Sequence, residues 1–565
     1  VTAPDPRAGL AGPPSVRAPL GDQATGRSLI ERAARLTDAQ LVALIGVALF
    51  VLSAWPLLLV PLPPLQDLPN HVATAHIVAH PDLYPQYLFN GLLKSNSLLT
   101  LWFLALGSNH LFGAARLFTA LVLAGNAFAL PFFALHFAGR RRLAVAMLFA
   151  WPLVHGFFVS MGMLNFVVGF ALSLLLLVVI DRQREQATPA RSAAIGLLSV
   201  AIWYAHPFPL AVVGVLVGIH VLAQPGWGAR VSAGVRLLLP LAPAGLLCLL
   251  AAQRHLVKAD HAPPLGAAAW SYTTPWGILA HLWYDASGAL TRWGGVTVVP
   301  ALLLPYFAWR QRRIERAFFS RLAMVLLTAA YVGMPVCLSN WNYFNCRLVP
   351  FIWAGLLVRL PARVPRAITG ALVACALAFS AVLGIDYVRL DRDRAAFTAG
   401  LDAVPPRATL LPLMFKQQRT SDFTASLTHA WGYYTVARDA SAPLVFGVER
   451  SYPITYRDFP PRKLVPPALD RFAERYGTPA QVCASLGQVP PDGPCTAAWR
   501  DLWSGFWRDA EPRFSHLITW AMPDAARPII PADYRRVFVA GQLEVYARQG
   551  ASSASDAAPP PAAVR

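Results

Sequence analysis

The residues Pro63-Pro64-Leu65-Gln66-Asp67-Leu68-Pro69-Asn70-His71 stand directly after an apolar run that begins at Leu41. That run is long enough to cross a bilayer, which takes about 20 apolar residues. A membrane-length helix that opens into prolines, a lone carboxylate and an imidazole reads as the first span of a membrane protein with reactive groups at its mouth. The pattern repeats downstream. Further apolar runs of spanning or near-spanning length begin near Ala114, Leu143, Met163, Ser192, Pro207, Leu237, Gly294, Phe319, Cys346 and Ala367. The fold expected is therefore a polytopic α-helical membrane protein with about eleven transmembrane helices.

Composition agrees. At 565 residues, 56% hydrophobic and 14% charged, with a mean hydropathy of +0.46, the chain is too apolar for a soluble globular protein. Its formal charge of +19 resembles that of a nucleic-acid binder, but the distribution argues otherwise. Lysine occurs only at positions 94, 258, 416 and 463, and the arginines sit in short clusters between apolar runs. Positive charge resists translocation, so such clusters mark cytoplasmic loops. The basic excess reports topology, and no nucleic-acid partner is expected.

With the amino terminus inside, nineteen arginines between Arg27 and Arg366 face the cytoplasm. Only Lys94, Arg116, Arg254, Lys258, Arg292 and Arg347 fall on or near the outer face before the last region. This orientation requires Asn96 to Phe112 to lie at the interface rather than span. The organisation expected is a cytoplasmic tail over 1–38 and a helical region over 39–388, with long outer loops at 63–113 and 253–293. The tail carries no pattern of a removable signal peptide. The second outer loop holds Trp270, Tyr272, Trp276, Trp283, Tyr284 and Trp293, either an interfacial aromatic belt or apolar walls for a substrate entering from the bilayer. No internal repeat suggests a transporter built from inverted halves.

Beyond Arg389 the character changes. Residues 389–549 read as an extracytoplasmic α/β domain, with short strands over 408–415, 443–448 and 514–522, a helix over 469–476 and a hairpin over 534–547. Residues 550–565 read as a disordered tail. Cys483 and Cys495 flank a Gly/Pro-rich loop and are candidates for a disulfide. Cys337 and Cys346 are a weaker pair, and Cys248 and Cys375 read as small core residues.

Pro69 suits the first turn of a helix that Asp67 can cap. A helix to Ala79 sets Asp67, Asn70, His71 and Thr74 on one stripe. Two readings stay open: a cap beside a solvated histidine, or a catalytic carboxylate with His71 beside it, able to deprotonate an acceptor hydroxyl. A divalent metal held by Asp67, His71 and His76 is a further possibility, although the spacing is not diagnostic. Arg347 lies at the outer end of a span, where positive charge is disfavoured. A guanidinium there either takes a phosphate in its fork, snorkels to headgroups, or pairs with a carboxylate of the C-terminal domain. Lys258, Lys94 and Arg254 are further outer-face cations for a donor phosphate, and Asn70, Asn165 and His206 are candidates for the lining of the same pocket.

These residues carry a resemblance. The helical region, roughly Leu41 to Val388, resembles the GT-C glycosyltransferases: polytopic enzymes with a carboxylate in the first extracytoplasmic loop that use polyprenyl-phosphate sugars as donors. The stretches Leu65-Gln66-Asp67-Leu68-Pro69-Asn70-His71, Met163-Leu164-Asn165-Phe166 and Ala205-His206-Pro207 look like an uncharacterised bacterial branch of that class. The resemblance implies that Asp67 takes the place of the catalytic base. Many members carry paired acidic residues in that loop, whereas Asp67 has Gln66 and Leu68 as neighbours. The WWD-type motif of oligosaccharyltransferases is absent.

The expectation is an inverting glycosyltransferase of the cytoplasmic membrane. It moves a sugar from a polyprenyl phosphate to an envelope glycan, lipid or protein acceptor on the outer side. The rival expectation is a non-catalytic membrane component of an envelope polysaccharide assembly or export system. No nucleotide is expected, since no Walker-type or GxGxxG loop is placed between strand and helix.

Overall fold

A computed structural model describes residues 35–107, 110–256, 270–271, 294–311, 314–338, 343–416, 425–447, 452–458, 460–465, 468–485 and 494–550. The expected terminal tails, most of the second outer loop, and Lys258 lie outside these residues, as does the side chain of Arg254.

Apolar helices dominate the first 400 residues. The first, Asp38–Leu58, opens on a reciprocal cap: Thr37 Oγ1 accepts from the Gln40 amide at 3.2 Å, and Gln40 Oε1 accepts from the Thr37 amide at 2.9 Å. Among the described residues, Asp38–Leu58, Leu111–Ala138, Leu164–Glu185, Trp227–Ala251 and Arg366–Ala403 are long and apolar enough to cross a membrane. Arg140–Leu148 and Trp151–Ser160 pass the same test together but bend by 65° between them. Pro152 sits just past the break, where its missing N–H and fixed φ end the preceding helical ladder. Pro207–Leu222, Val298–Arg310, Arg321–Gly333 and Asn345–Leu357 are shorter apolar helices. Leu44, Val51, Leu246, Leu249, Leu302, Val325 and Leu377 stay exposed on the outside of these helices, as a lipid-facing surface requires.

Two boundaries differ from expectation. The span expected near Leu237 already begins at Trp227, because Pro225 and Gly226 break the chain there. The last span was expected to end at 388, but its helix continues through Thr398, its charged end (Arg389 to Arg394) stabilised by an Asp391–Arg394 pair at 2.7 Å. Within Asn96 to Phe112, Leu98–Leu106 is helical over nine residues. At about 1.5 Å per residue it is too short to cross.

The C-terminal region holds a four-stranded sheet. Leu410–Met414 runs parallel to His516–Trp520, which pairs antiparallel with Leu543–Arg548, and Tyr534–Ala540 closes the edge. The edge strand Leu410–Met414 and its neighbour His516–Trp520 are buried at every position. The expected hairpin over 534–547 is present, with Gly541 at φ +58° in its turn. Residues 443–447 form a turn rather than the expected strand; the strand instead falls at Ile454–Tyr456. Cys483 and Cys495 are joined, with Cα atoms 5.4 Å apart. The weaker pair does not form: Cys346 keeps a buried thiol that donates to Asn345 Oδ1 at 3.3 Å.

The segment 63–113, expected as the first outer loop, is docked onto this region, and the buried apolar residues of both parts form one continuous core. Tyr87–Phe89 pairs antiparallel with Ile454–Tyr456. His76 Nε2 meets Asp439 Oδ1 at 2.9 Å, the Tyr87 hydroxyl donates to Ala442 O at 2.9 Å, and Gln66 Oε1 accepts from the Ala425 amide at 2.7 Å. The helix Leu68–Ala79 approaches Gly432–Arg438 so closely that a Cβ on Gly432 would lie 2.4 Å from Pro69 O. Backbone cannot yield as a flexible side chain does, so the two helices must separate to admit a methyl group.

Gly432→Ala is therefore expected to lower stability by about 1–3 kcal/mol. Thermal unfolding in detergent checks this; an unchanged midpoint would show that the contact does not hold the two parts together.

Candidate active site

Asp67 immediately precedes the helix Leu68–Ala79, with Pro69 in the first turn. Its side chain makes no capping hydrogen bond. The cap reading thus loses its physical basis, because capping requires the carboxylate to accept from the first-turn amides. The Asp67 backbone is held from behind: the Gln66 amide donates to Ser160 O at 3.2 Å and the Asp67 amide to Met161 O at 3.0 Å. Gly162, at φ +80°, lies against this peptide; a Cβ there would sit 2.9 Å from Asp67 N. The turn after the bent helix pair thereby fixes where Asp67 points.

The Asp67 carboxylate lines a cavity of about 140 Å³ with His71, Asn96, Met163, Asn165, Phe166, His206, Arg347, Phe446 and Tyr452. Five of the residues singled out from sequence meet here: Asp67, His71, Asn165, His206 and Arg347. Lys94 and Asn70 are not in the lining. Pockets that bury a drug-sized ligand run to about 300–1,000 Å³, so this one suits a phosphoryl group and the reacting oxygens rather than a whole lipid-linked sugar.

Asn165 organises one wall. Its Oδ1 accepts from the Leu99 amide at 3.0 Å, and its Nδ2 donates to Asn96 O and Oδ1 at 2.9 and 3.0 Å. These contacts hold Asn96 at φ +62°, a left-handed conformation that asparagine tolerates better than most residues. His206 lies between Pro189–Ala205 and Pro207–Leu222 and caps the second helix, its Nδ1 accepting from the Phe208 amide at 3.1 Å. A neutral imidazole whose Nδ1 accepts carries its proton on Nε2. That Nε2 lies 3.2 Å from Arg347 Nη1. Both facing atoms are then donors, so this wall of the cavity presents two adjacent N–H groups of the kind that suit an oxyanion. The Arg347 guanidinium also lies over the Phe166 ring at 5.9 Å.

Asn70 has a different place from the one expected. Fully buried, its Oδ1 accepts from the Phe446 amide at 3.2 Å and its Nδ2 donates to Leu444 O at 3.0 Å. Those two backbone partners fix which end of the amide is which. Nδ2 also faces His429 Nδ1 at 3.5 Å, so Nδ1 is the acceptor and His429 carries its proton on Nε2. His429 Nε2 in turn lies 3.5 Å from Asp67 Oδ1. The order Asn70–His429–Asp67 therefore aims an N–H at the carboxylate.

His429, Phe446 and Tyr452 were not anticipated from sequence. They sit more than 350 residues from Asp67 and carry no local motif; the isolated His429 within Ala425 to Trp431 was the one available signal. His71 is driven to the neutral form: burial pulls its pKa down to about 4, the nearby Asp67 charge opposing and His429 adding to the shift. The metal set imagined for Asp67, His71 and His76 is not assembled. His71 and His76, five residues apart, point about 140° apart around the helix, and His76 is engaged with Asp439. No cluster of three metal-ligating side chains occurs among the described residues.

No family model matches the chain, and no curated protein matches it. Among solved structures, it is similar to ArnT from Cupriavidus metallidurans bound to undecaprenyl phosphate. The two are 12% identical and superpose with a TM-score of 0.50, over 91% of this chain and 98% of that one. At that identity the likeness speaks for the architecture alone. The chain has the fold of the GT-C glycosyltransferases.

Proposed function

We propose that this chain is an inverting membrane glycosyltransferase that moves a sugar from a polyprenyl phosphate to an acceptor hydroxyl on the outer side of the cytoplasmic membrane. One observation carries the reading: a single cavity brings the Asp67 carboxylate together with the paired donors of Arg347 and His206. The fold supports it, since the similar ArnT structure holds undecaprenyl phosphate.

In this mechanism Asp67 takes the proton of the acceptor hydroxyl as that oxygen attacks the anomeric carbon. The bond from that carbon to the phosphate oxygen breaks, and the polyprenyl phosphate leaves with the electron pair. Arg347 Nη1 and His206 Nε2–H stabilise the charge that collects on the leaving phosphate. His429 Nε2–H holds the carboxylate in line, and Asn70 holds His429. His71, neutral at physiological pH, does not compete with Arg347 and His206 for the phosphate. The acceptor belongs to the cell envelope: a glycan, a lipid or a protein.

Two measurements test this. Asp67→Asn keeps the size of the side chain and removes the base, so release of free polyprenyl phosphate from a lipid-linked sugar is expected to fall by about 10²–10⁴ in a variant that still folds. If wild type releases none from any donor, and Asp67→Asn supports envelope assembly as well as wild type does, the chain is a structural component of that assembly instead.

The second concerns His71. Its folded pKa lies below the unfolded value of 6.5. As pH falls below 6.5, protons bind the unfolded chain first, so stability is full above that value and drains away until pH reaches about 4. Between pH 7 and pH 5 the loss from this residue amounts to about 2 kcal/mol. His71→Gln should accordingly show a smaller drop in unfolding midpoint than wild type over that interval. Equal drops would place His71 in contact with water.

A further inference from the structure

The end of the helical bundle away from the cavity holds a second cluster of cations. Arg347 lines the cavity, and Arg359 follows it by twelve residues along the helical stretch Asn345–Leu357, a separation of roughly 18 Å. Arg359 is only 5% exposed. Arg316, from the segment before Arg321–Gly333, lies near both Arg359 and Arg142, the latter in the first turn of Arg140–Leu148. Arg316 Nε donates to Val358 O at 3.3 Å, next to Arg359, and one Arg359 Nη donates to Phe319 O. Burial lowers the Arg316 pKa, and the like charges of Arg142 and Arg359 lower it further.

Negative charge is short here. Among the described residues, Glu315 is the carboxylate paired with the cluster, at 4.0 Å from Arg359 Nη2. It is already engaged by Arg321, at 2.7 Å from Arg321 Nε and as acceptor from the Arg321 amide at 3.2 Å. Arg140 is turned away to Asp38 at 2.7 Å. The Nε atoms of Arg142 and Arg359 are both buried and have no hydrogen-bond partner among the described residues. Buried charges are stable when paired, and guanidinium N–H groups left without acceptors cost free energy. Three guanidiniums from three separate segments, two with a buried N–H unused, make a site that an oxyanion completes.

We propose that Arg142, Arg316 and Arg359 form a second phosphate-binding site at the far end of the bundle, independent of the cavity around Asp67. Its position at the ends of the spans suits the phosphodiester of an anionic phospholipid headgroup, and a free phosphate offers the same oxygens to the guanidinium forks. Occupancy ties the start of Arg140–Leu148 to the end of Asn345–Leu357. The bent pair that begins at Arg140 ends at Ser160, which holds the peptide before Asp67, and Asn345–Leu357 begins beside Arg347. An anion at this site therefore braces both helices that present the cavity.

The full-length protein in neutral detergent tests this, with thermal unfolding followed alone, with added phosphatidylglycerol, with phosphatidylcholine and with inorganic phosphate. Wild type should gain stability with phosphatidylglycerol and not with phosphatidylcholine; a matching gain with inorganic phosphate would mark a free phosphate as the natural occupant. In Arg142→Gln and Arg316→Gln the gain should be lost. Without anion these variants should be as stable as wild type or more so, because removing a guanidinium relieves repulsion. An equal gain in wild type and variants, no gain in wild type, or variants that lose the same stability with and without anion would overturn the site. None of these outcomes depends on sugar transfer, so the result stands apart from the reading of Asp67.

Discussion

The buried amide of Asn70 joins the two halves of this protein. It sits in the helix that follows the first span, yet both ends of its side chain bond to the backbone of residues 444–446 in the C-terminal region. A buried amide with both ends satisfied is strongly directional, since removing either partner leaves a polar group unmatched away from water. The same side chain sets the tautomer of His429, and His429 faces Asp67. The contact that docks the C-terminal region is thus also the contact that orients the carboxylate. The strand pairing of Tyr87–Phe89 with Ile454–Tyr456 and the close approach of Gly432 to Pro69 hold the same seam.

Much of the scaffold was legible in the sequence because it rests on local signals. Apolar run length marked the helices, Pro69 marked the start of Leu68–Ala79, and the alternation around Ala540-Gly541 marked the terminal hairpin. The disulfide was readable from two cysteines bracketing a Gly/Pro-rich loop. The strand at Ile454–Tyr456 was not, because it exists only through its partner Tyr87–Phe89, and three residues carry no periodicity of their own. The start of the seventh expected span was misplaced by ten residues because Trp227–Leu237 mixes arginines with apolar residues, which hides its helical continuity from a hydropathy reading.

The candidate site divides in the same way. Asp67, His71, Asn165, His206 and Arg347 stood out as polar groups in apolar surroundings, and they share one cavity. Asn70 stood out for the same reason, but its partners are backbone groups 374 and more residues away, so its place in the seam was invisible. His429, Phe446 and Tyr452 come from a region that reads as a separate domain, and only the docking brings them to the cavity. Polarity in an apolar stretch thus signals that a side chain is needed; it does not say whether for chemistry or for assembly. Lys94 illustrates the limit, a cation on the right loop that is absent from the cavity lining.

The central claim is that a lipid phosphate sits between the donors of Arg347 and His206 with Asp67 facing the same space. An experimental structure in a lipid nanodisc with undecaprenyl phosphate tests it most directly. The account predicts phosphate oxygens within hydrogen-bonding distance of Arg347 Nη1 and His206 Nε2, and an Asp67 carboxylate that points into the cavity beside His429. A phosphate held elsewhere on the protein, with this cavity unfilled and Asp67 turned back to cap its own helix, would contradict it.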